Sequence, residues 1–203
     1  YAALMGEGQL LPHSLVADVP TSINGYNPQN FDQSYQGAVP ASQALARSLN
    51  VPAVTLLQEY GLQKFYNKLH QLHFKTIKRP ADYYGLSLIL GGAESNLWDL
   101  TNAYAGLAAT LNHFNNTSSE YPQQAFQEPV YIQDSNYNYG EKMPNPEVLD
   151  AGAIYKSLEA LKEVNRPQGS ENWEFFTDAQ PLAWKTGTSY GFKDAWAVGV
   201  TPK

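Results

Sequence analysis

Near the end of the chain, Trp196, Val198 and Val200 alternate with Ala195, Ala197 and Gly199, a period of two with one bulky and one small face. Just before it, Pro181-Leu182-Ala183-Trp184 leads into Lys185-Thr186-Gly187-Thr188-Ser189. The pattern predicts two adjacent antiparallel strands joined by a short turn through Ser189, Tyr190, Gly191 and Phe192.

The rest of the chain is mostly helical in period. Tyr1 to Met5 reads as the last turns of a helix closed by Gly6 and Gly8. Pro40 starts a helix through Ala41 to Arg47, and Pro52, which lacks an amide proton and disfavours a helical Val51, prevents it from running on. Ser48-Leu49-Asn50 is thereby expected at a helix-to-helix junction. The next helix carries Val54, Leu57 and Tyr60 and stops at Gly61; another has Phe65, Leu69 and Leu72 as its inner stripe. Ser95 is the expected cap of a helix with Leu97, Leu100, Tyr104, Leu107 and Leu111 on one stripe. Asn145-Pro146-Glu147 is the expected start of a helix burying Val148, Ala151, Ile154, Tyr155, Leu158 and Leu161. Short strands are expected at Leu15 to Val19 and Val130 to Ile132. Aperiodic loops are expected at Pro20 to Gln36, Thr76 to Tyr84, Asn112 to Gln127 and Arg166 to Phe176, and Leu86 to Leu90 is an apolar run ended by Gly91-Gly92. Helices followed by antiparallel strands predict an α+β fold.

Composition narrows the function. With 203 residues, 43% of them hydrophobic, the chain suits one globular domain. A net charge of −6 argues against a nucleic-acid partner. With no cysteine there is neither a disulfide nor a thiol nucleophile, and no apolar run is long enough to cross a membrane. The chain opens inside an apolar segment and stops just after a strand, so we expect a piece of a longer protein, itself soluble.

The candidate chemistry lies in the strand pair. Alternation puts Thr186 and Thr188 on one face, where their hydroxyls can hold a carboxylate, and Gly187 allows close approach of another backbone. Lys185 starts on the opposite face, so its stem must reach round an edge to join them. Alone, Lys-Thr-Gly-Thr reads equally as a polar strand end, Ser48 as a residue closing a helix and Asn50 as a left-handed cap. Trp184 and Trp196 read as sheet packing, and Asp194 as an anchor of the strand pair rather than an acid. His70 and His73 read as a solvated face rather than a metal site, and His13 and His113 have no partner pattern.

Together, Ser48-Leu49-Asn50 and Lys185-Thr186-Gly187-Thr188 stand in the order of the second and third elements of the signature S-x-x-K, S-x-N, K-T-G. The chain resembles the transpeptidase domain of class A penicillin-binding proteins. The resemblance extends through Phe31-Asp32, Ala44 to Val54, Leu90-Gly91-Gly92-Ala93-Glu94 and Asn102-Ala103-Tyr104-Ala105. The ending, Lys185 to Ala197, is most like the 1C type. The resemblance as a whole covers most of the chain and is weakest between Asn112 and Pro144.

The resemblance implies the fold of the penicillin-binding proteins and serine β-lactamases, helices with an antiparallel sheet, truncated at both ends. Residues 1–203 are then one partial transpeptidase domain. Its S-x-x-K segment is expected just upstream of Tyr1 and its last strand and closing helix beyond Lys203. It further implies covalent acyl transfer between peptidoglycan stem peptides, with β-lactams as covalent inhibitors and no metal or organic cofactor. Ser48 is then a proton relay, Lys185 its partner and Asn50 a substrate-orienting amide, with Thr186, Gly187 and Thr188 binding the terminal carboxylate. A glycosyltransferase domain and membrane anchor are implied upstream, at the periplasmic face of the inner membrane. No serine here is followed three positions later by lysine, so the chain alone is expected to be inactive. With central sheet elements missing, exposed apolar surface or self-association is expected. Alternatives are a D,D-carboxypeptidase and a non-catalytic cell-wall-binding or sensor module.

Overall fold

The structure is a computed structural model that describes residues 1–117, 119–126, 142–143, 146, 148–164, 181–189 and 193–201. The first helix, α1 (Ala2–Gly6), ends where Gly8 adopts φ 71°. There the Gly8 and Gln9 N–H groups donate to the Met5 and Leu4 carbonyls at 3.0 and 2.9 Å. The expected strand forms as β1 (Leu15–Asp18). Its antiparallel partner β2 (Gly37–Pro40), in register from Leu15↔Pro40 to Asp18↔Gly37, lies in a stretch without alternation and was not anticipated.

Three helices follow, α2 (Ala41–Ala46), α3 (Asn50–Tyr60) and α4 (Leu62–Gln71). The break before Asn50 is as expected, but Pro52 does not cause it. Val51 is helical and Pro52 sits in the first turn of α3, where its missing N–H leaves no helical bond unmade. The stripe of α4 is only half-buried, because this helix lies on the surface. The loop that follows contains a short helix, α5 (Ala81–Tyr84), and the apolar run is a 3-10 helix (Gly85–Leu90) closed by left-handed Gly91.

The long helix α6 (Leu97–Asn116) is capped by Asn96, not Ser95: the Asn96 Oδ1 accepts from the Asp99 N–H at 2.7 Å. It also runs through Asn112 to Asn116, expected to be loop. Its most buried line is Asp99, Asn102, Ala103, Gly106 and Thr110, while Leu97 is exposed and Leu100, Leu107 and Leu111 are half-buried. Small residues lie inward because Phe126 rests on Gly106, where a Cβ would come 2.2 Å from the ring.

Tyr121–Pro122 (β3) pairs with Lys142–Met143 (β4). The helix expected from Asn145 begins instead at Ala151, as α7 (Ala151–Lys162), and Pro146 is outside it. Asp150 makes the better cap: its Oδ1 accepts from the Ala153 N–H at 2.9 Å, and its Oδ2 accepts from the Tyr121 hydroxyl at 2.8 Å. Tyr155 faces solvent, whereas Val148, Ala151, Ile154, Leu158 and Leu161 are buried as expected. The expectations for Val130 to Ile132, Asn145, Glu147, Arg166 to Phe176 and Tyr190 to Phe192 fall outside the described residues.

The strand pair is β5 (Ala183–Thr188) and β6 (Ala195–Val200), antiparallel from Ala183↔Val200 to Thr188↔Ala195. Two apolar clusters support these elements. Leu4, Leu10, Val16, Val39, Ala44, Leu49, Leu56 and Tyr60 join the first helices to β1 and β2. Phe126, Val148, Ile154, Leu158, Leu161 and Ala183 join α7 to β5. The two meet where α1 and α2 pack on α7. The fold is α+β, as the sequence pattern predicts.

Candidate active site

The site forms where the α2–α3 junction faces β5. At the end of α2 the Ser48 N–H donates to the Leu45 carbonyl at 3.1 Å and the Leu49 N–H to the Ala44 carbonyl at 3.0 Å. Closing the helix this way turns Ser48 to φ 57°, a left-handed conformation that costs a non-glycine residue about 1–2 kcal/mol. Leu49 is buried in the first cluster, while Ser48 is exposed and Asn50 half-exposed. Ser48 therefore both closes a helix and presents its hydroxyl. Asn50 is no left-handed cap but the first residue of α3.

That start is held from outside the helix. Leu49, in the capping position, has no side-chain acceptor. Instead the Asn30 Oδ1 accepts from the Asn50 N–H at 2.9 Å and from the Val51 N–H at 3.2 Å. The Asn30 Nδ2 donates to the Asp18 Oδ1 at 2.7 Å and to the Ser34 carbonyl at 2.9 Å. Asp18 is fully buried, and its Oδ2 accepts from the Gln36 N–H at 2.8 Å. The Asn50 Nδ2 donates to the Gln29 carbonyl at 2.9 Å. Sequence reading missed Asp18 and Asn30, because one ends a short strand and the other lies in an aperiodic loop. A polar side chain there reads as solvated.

From the opposite side, Lys185 leaves the face of β5 that it shares with Ala183 and bends back. Its Nζ donates to the Ser48 Oγ and to the Thr186 carbonyl, the latter at 2.7 Å. It meets a backbone carbonyl there and neither threonine hydroxyl. Burial pushes the ammonium below the ordinary lysine value. Thr186 and Thr188 lie on the other face, exposed, opposite Ala197 and Ala195. Gly187 pairs with Trp196, and a Cβ on it would meet nothing within 4 Å, so the described residues leave that space open. Past Thr188 the pair is closed by Ser189 and Asp194: the Ser189 N–H donates to the Asp194 carbonyl at 2.9 Å, and the Asp194 N–H donates to the Ser189 Oγ at 2.8 Å. Asp194 is an anchor, as expected. Trp184 packs on the second cluster, while Trp196 is 38% exposed.

The structure thus brings Ser48 and Lys185 into direct contact, while Asn50, two positions on, has its side chain on the Gln29 carbonyl. Thr186 to Thr188 continue the strand beyond the lysine. The arrangement offers a hydroxyl hydrogen-bonded to an amine of lowered pKa, beside a strand with two exposed hydroxyls. Such a set can pass a proton and hold an anion.

The penicillin binding protein transpeptidase domain family matches residues 1–203. The chain is 33% identical over its whole length to penicillin-binding protein 1C of Escherichia coli (strain K12), of which it covers 24%. To penicillin-binding protein 1F of Bacillus subtilis (strain 168) it is 30% identical, again over its whole length, covering 27% of that protein. It therefore spans about a quarter of the length of these relatives. In fold it is similar to the PonA1 protein of Mycobacterium tuberculosis, in a structure in complex with penicillin V. That match has TM-score 0.69 and 20% identity, over 99% of this chain and 54% of that one. Penicillin-binding protein 1A of Haemophilus influenzae gives TM-score 0.68 and 22% identity, over 98% of this chain and 34% of that one.

Proposed function

The chain belongs to the transpeptidase-domain family of the class A penicillin-binding proteins, and on that premise we propose that it supplies the proton-relay and carboxylate-binding half of a peptidoglycan D,D-transpeptidase. The observation that carries this reading is the hydrogen bond from Lys185 to Ser48, which joins two separated sequence elements at one point.

In the proposed reaction a serine hydroxyl adds to the penultimate D-Ala carbonyl of one stem peptide. The terminal D-Ala leaves with a proton, and the amine of a second stem then takes the acyl group. Ser48 relays that proton to the departing nitrogen. Lys185 holds the Ser48 hydroxyl and adds positive potential. Asn50 orients the substrate amide once its side chain turns from the Gln29 carbonyl. Thr186 and Thr188 grip the terminal carboxylate, and the Thr188 N–H serves the oxyanion. Gly187 keeps the strand open to a substrate backbone lying alongside it.

No serine in the 203 residues stands three positions before a lysine. We therefore assign the acylated serine to sequence outside them and expect these residues alone to form no acyl-enzyme. In the same reading they make one partial domain of a longer protein with a glycosyltransferase domain and membrane anchor, working on the periplasmic side. Among the described residues no helix is long and apolar enough to cross a membrane.

Intact mass after incubation with benzylpenicillin tests this reading, on the 203-residue chain and on the longer protein. The expected result is one covalent adduct on the longer protein only. An adduct on the 203 residues would move the nucleophile into them. No adduct on either would leave a non-catalytic cell-wall-binding module.

A further inference from the structure

We propose that Asn30, held by buried Asp18, is a positioning residue that sets the Ser48–Asn50 turn for proton relay; this rests on the functional reading above. The argument starts from Asn30 itself. Only 4% of the residue is exposed, and its amide is saturated: two N–H bonds given, to Asp18 and Ser34, and two accepted, from Asn50 and Val51. Of the bonds it makes, those to the first turn of α3 span 20 and 21 positions of chain. A helix ordinarily takes its cap from the residue just before it. Here that residue, Leu49, is committed to the core, so the cap comes from the 29–36 loop.

The same loop grips the other side of the turn. The Gln36 N–H donates to the Asp18 Oδ2, and the Gln36 Oε1 accepts from the Arg47 guanidinium. Within the loop, the Asp32 carboxylate accepts from the Ser34 N–H and hydroxyl, which shapes the bend that presents the Ser34 carbonyl to Asn30. Arg47 and Asn50, on either side of Ser48, are thus tied to one loop whose anchor is a single buried carboxylate. The left-handed Ser48 conformation is not one a serine chooses unaided. The bonds that close α2 set it and the two tied flanks brace it, and with it the Cβ direction from which the hydroxyl meets Lys185.

Charge explains why the residue is an asparagine. An aspartate in its place still accepts from Asn50 and Val51, but it has nothing to give Asp18 or the Ser34 carbonyl and adds a second buried carboxylate beside the first. Exchanging the two, Asp18→Asn with Asn30→Asp, restores a donor facing an acceptor between positions 18 and 30, while the Ser34 carbonyl stays without its donor.

The test uses the longer protein and a fluorescent penicillin, reading the second-order acylation rate with near-ultraviolet circular dichroism as a check of folding. Asn30→Asp is expected to lower the rate on the order of 10- to 100-fold, the scale of a misplaced reacting group. The exchanged double variant is expected to recover part of it. A rate unchanged in Asn30→Asp, or a folded double variant as slow as the single one, overturns the proposal. If Asn30→Asp does not fold, the double variant alone decides in the same way. Amide hydrogen exchange of Asn50 and Val51 in the unsubstituted protein needs neither variant nor acylation. Protection there is expected, and fast exchange overturns the clamp. Penicillin failing to label the unsubstituted protein counts instead against the function on which the proposal rests.

Discussion

Lys185 and Ser48 lie 137 positions apart in the chain, and the lysine Nζ donates to the serine Oγ. The two groups are expected to act as one unit. In the longer protein, Lys185→Ala and Ser48→Ala should each slow penicillin acylation by on the order of 10²-fold or more. The double variant should be little worse than the slower single one. Additive losses would show that the contact does not carry the chemistry.

The environment of Lys185 gives a pH dependence. Its pKa in the fold lies below the ordinary lysine value of 10.5 because burial disfavours the charge. Between the two values the unfolded chain binds more protons than the folded one, so this group's contribution to stability rises with pH through that window. Below it, the cost of holding the charge is fully present. Lys185→Met should remove this component, seen as a difference in unfolding free energy between the two proteins that changes as pH rises toward 10.5. A difference flat across that range would contradict the burial.

The α6–Phe126 contact gives a stability prediction. At Gly106 a Cβ would lie 2.2 Å from the Phe126 ring, so Gly106→Ala should destabilise by about 1–3 kcal/mol through overpacking. Shortening the ring in Gly106→Ala/Phe126→Leu should return part of that loss in denaturant unfolding.

Caps can be told apart in the same assay. Asn96→Ala should cost about 1 kcal/mol and Ser95→Ala under about 0.5 kcal/mol, because only Asn96 bonds to the helix end. Asp150→Ala should cost about 1–2 kcal/mol, since it frees the Ala153 N–H and the Tyr121 hydroxyl together.

Periodicity made the helices and the strand pair legible, and two short motifs made the Ser48–Lys185 site legible. What escaped the sequence was mostly polar and long-range. Asn30 caps a helix that starts 20 residues later, and no local pattern announces such a bond. Ser95 and Asn96 are adjacent residues with similar capping ability, so only geometry separates them. The cap of α7 is Asp150, whose second oxygen also meets the Tyr121 hydroxyl, a bond across 29 positions that no start signal encodes. The buried line of α6 was misread because large apolar residues outrank glycine and threonine in any pattern, whereas Phe126 needed a gap.

The seam between the two clusters has a wider consequence. The serine is mounted on one packed body and the lysine on the other, and where the bodies touch a Cβ on Gly6 would stand 3.1 Å from the Asp150 Cβ. Alignment of the pair thus depends, like the closure of a vice, on the spacing at its jaw pivot as well as on the loop that holds Ser48. Under the proposed function, Gly6→Ala is therefore expected to change the penicillin acylation rate through that spacing, although it touches neither residue of the pair.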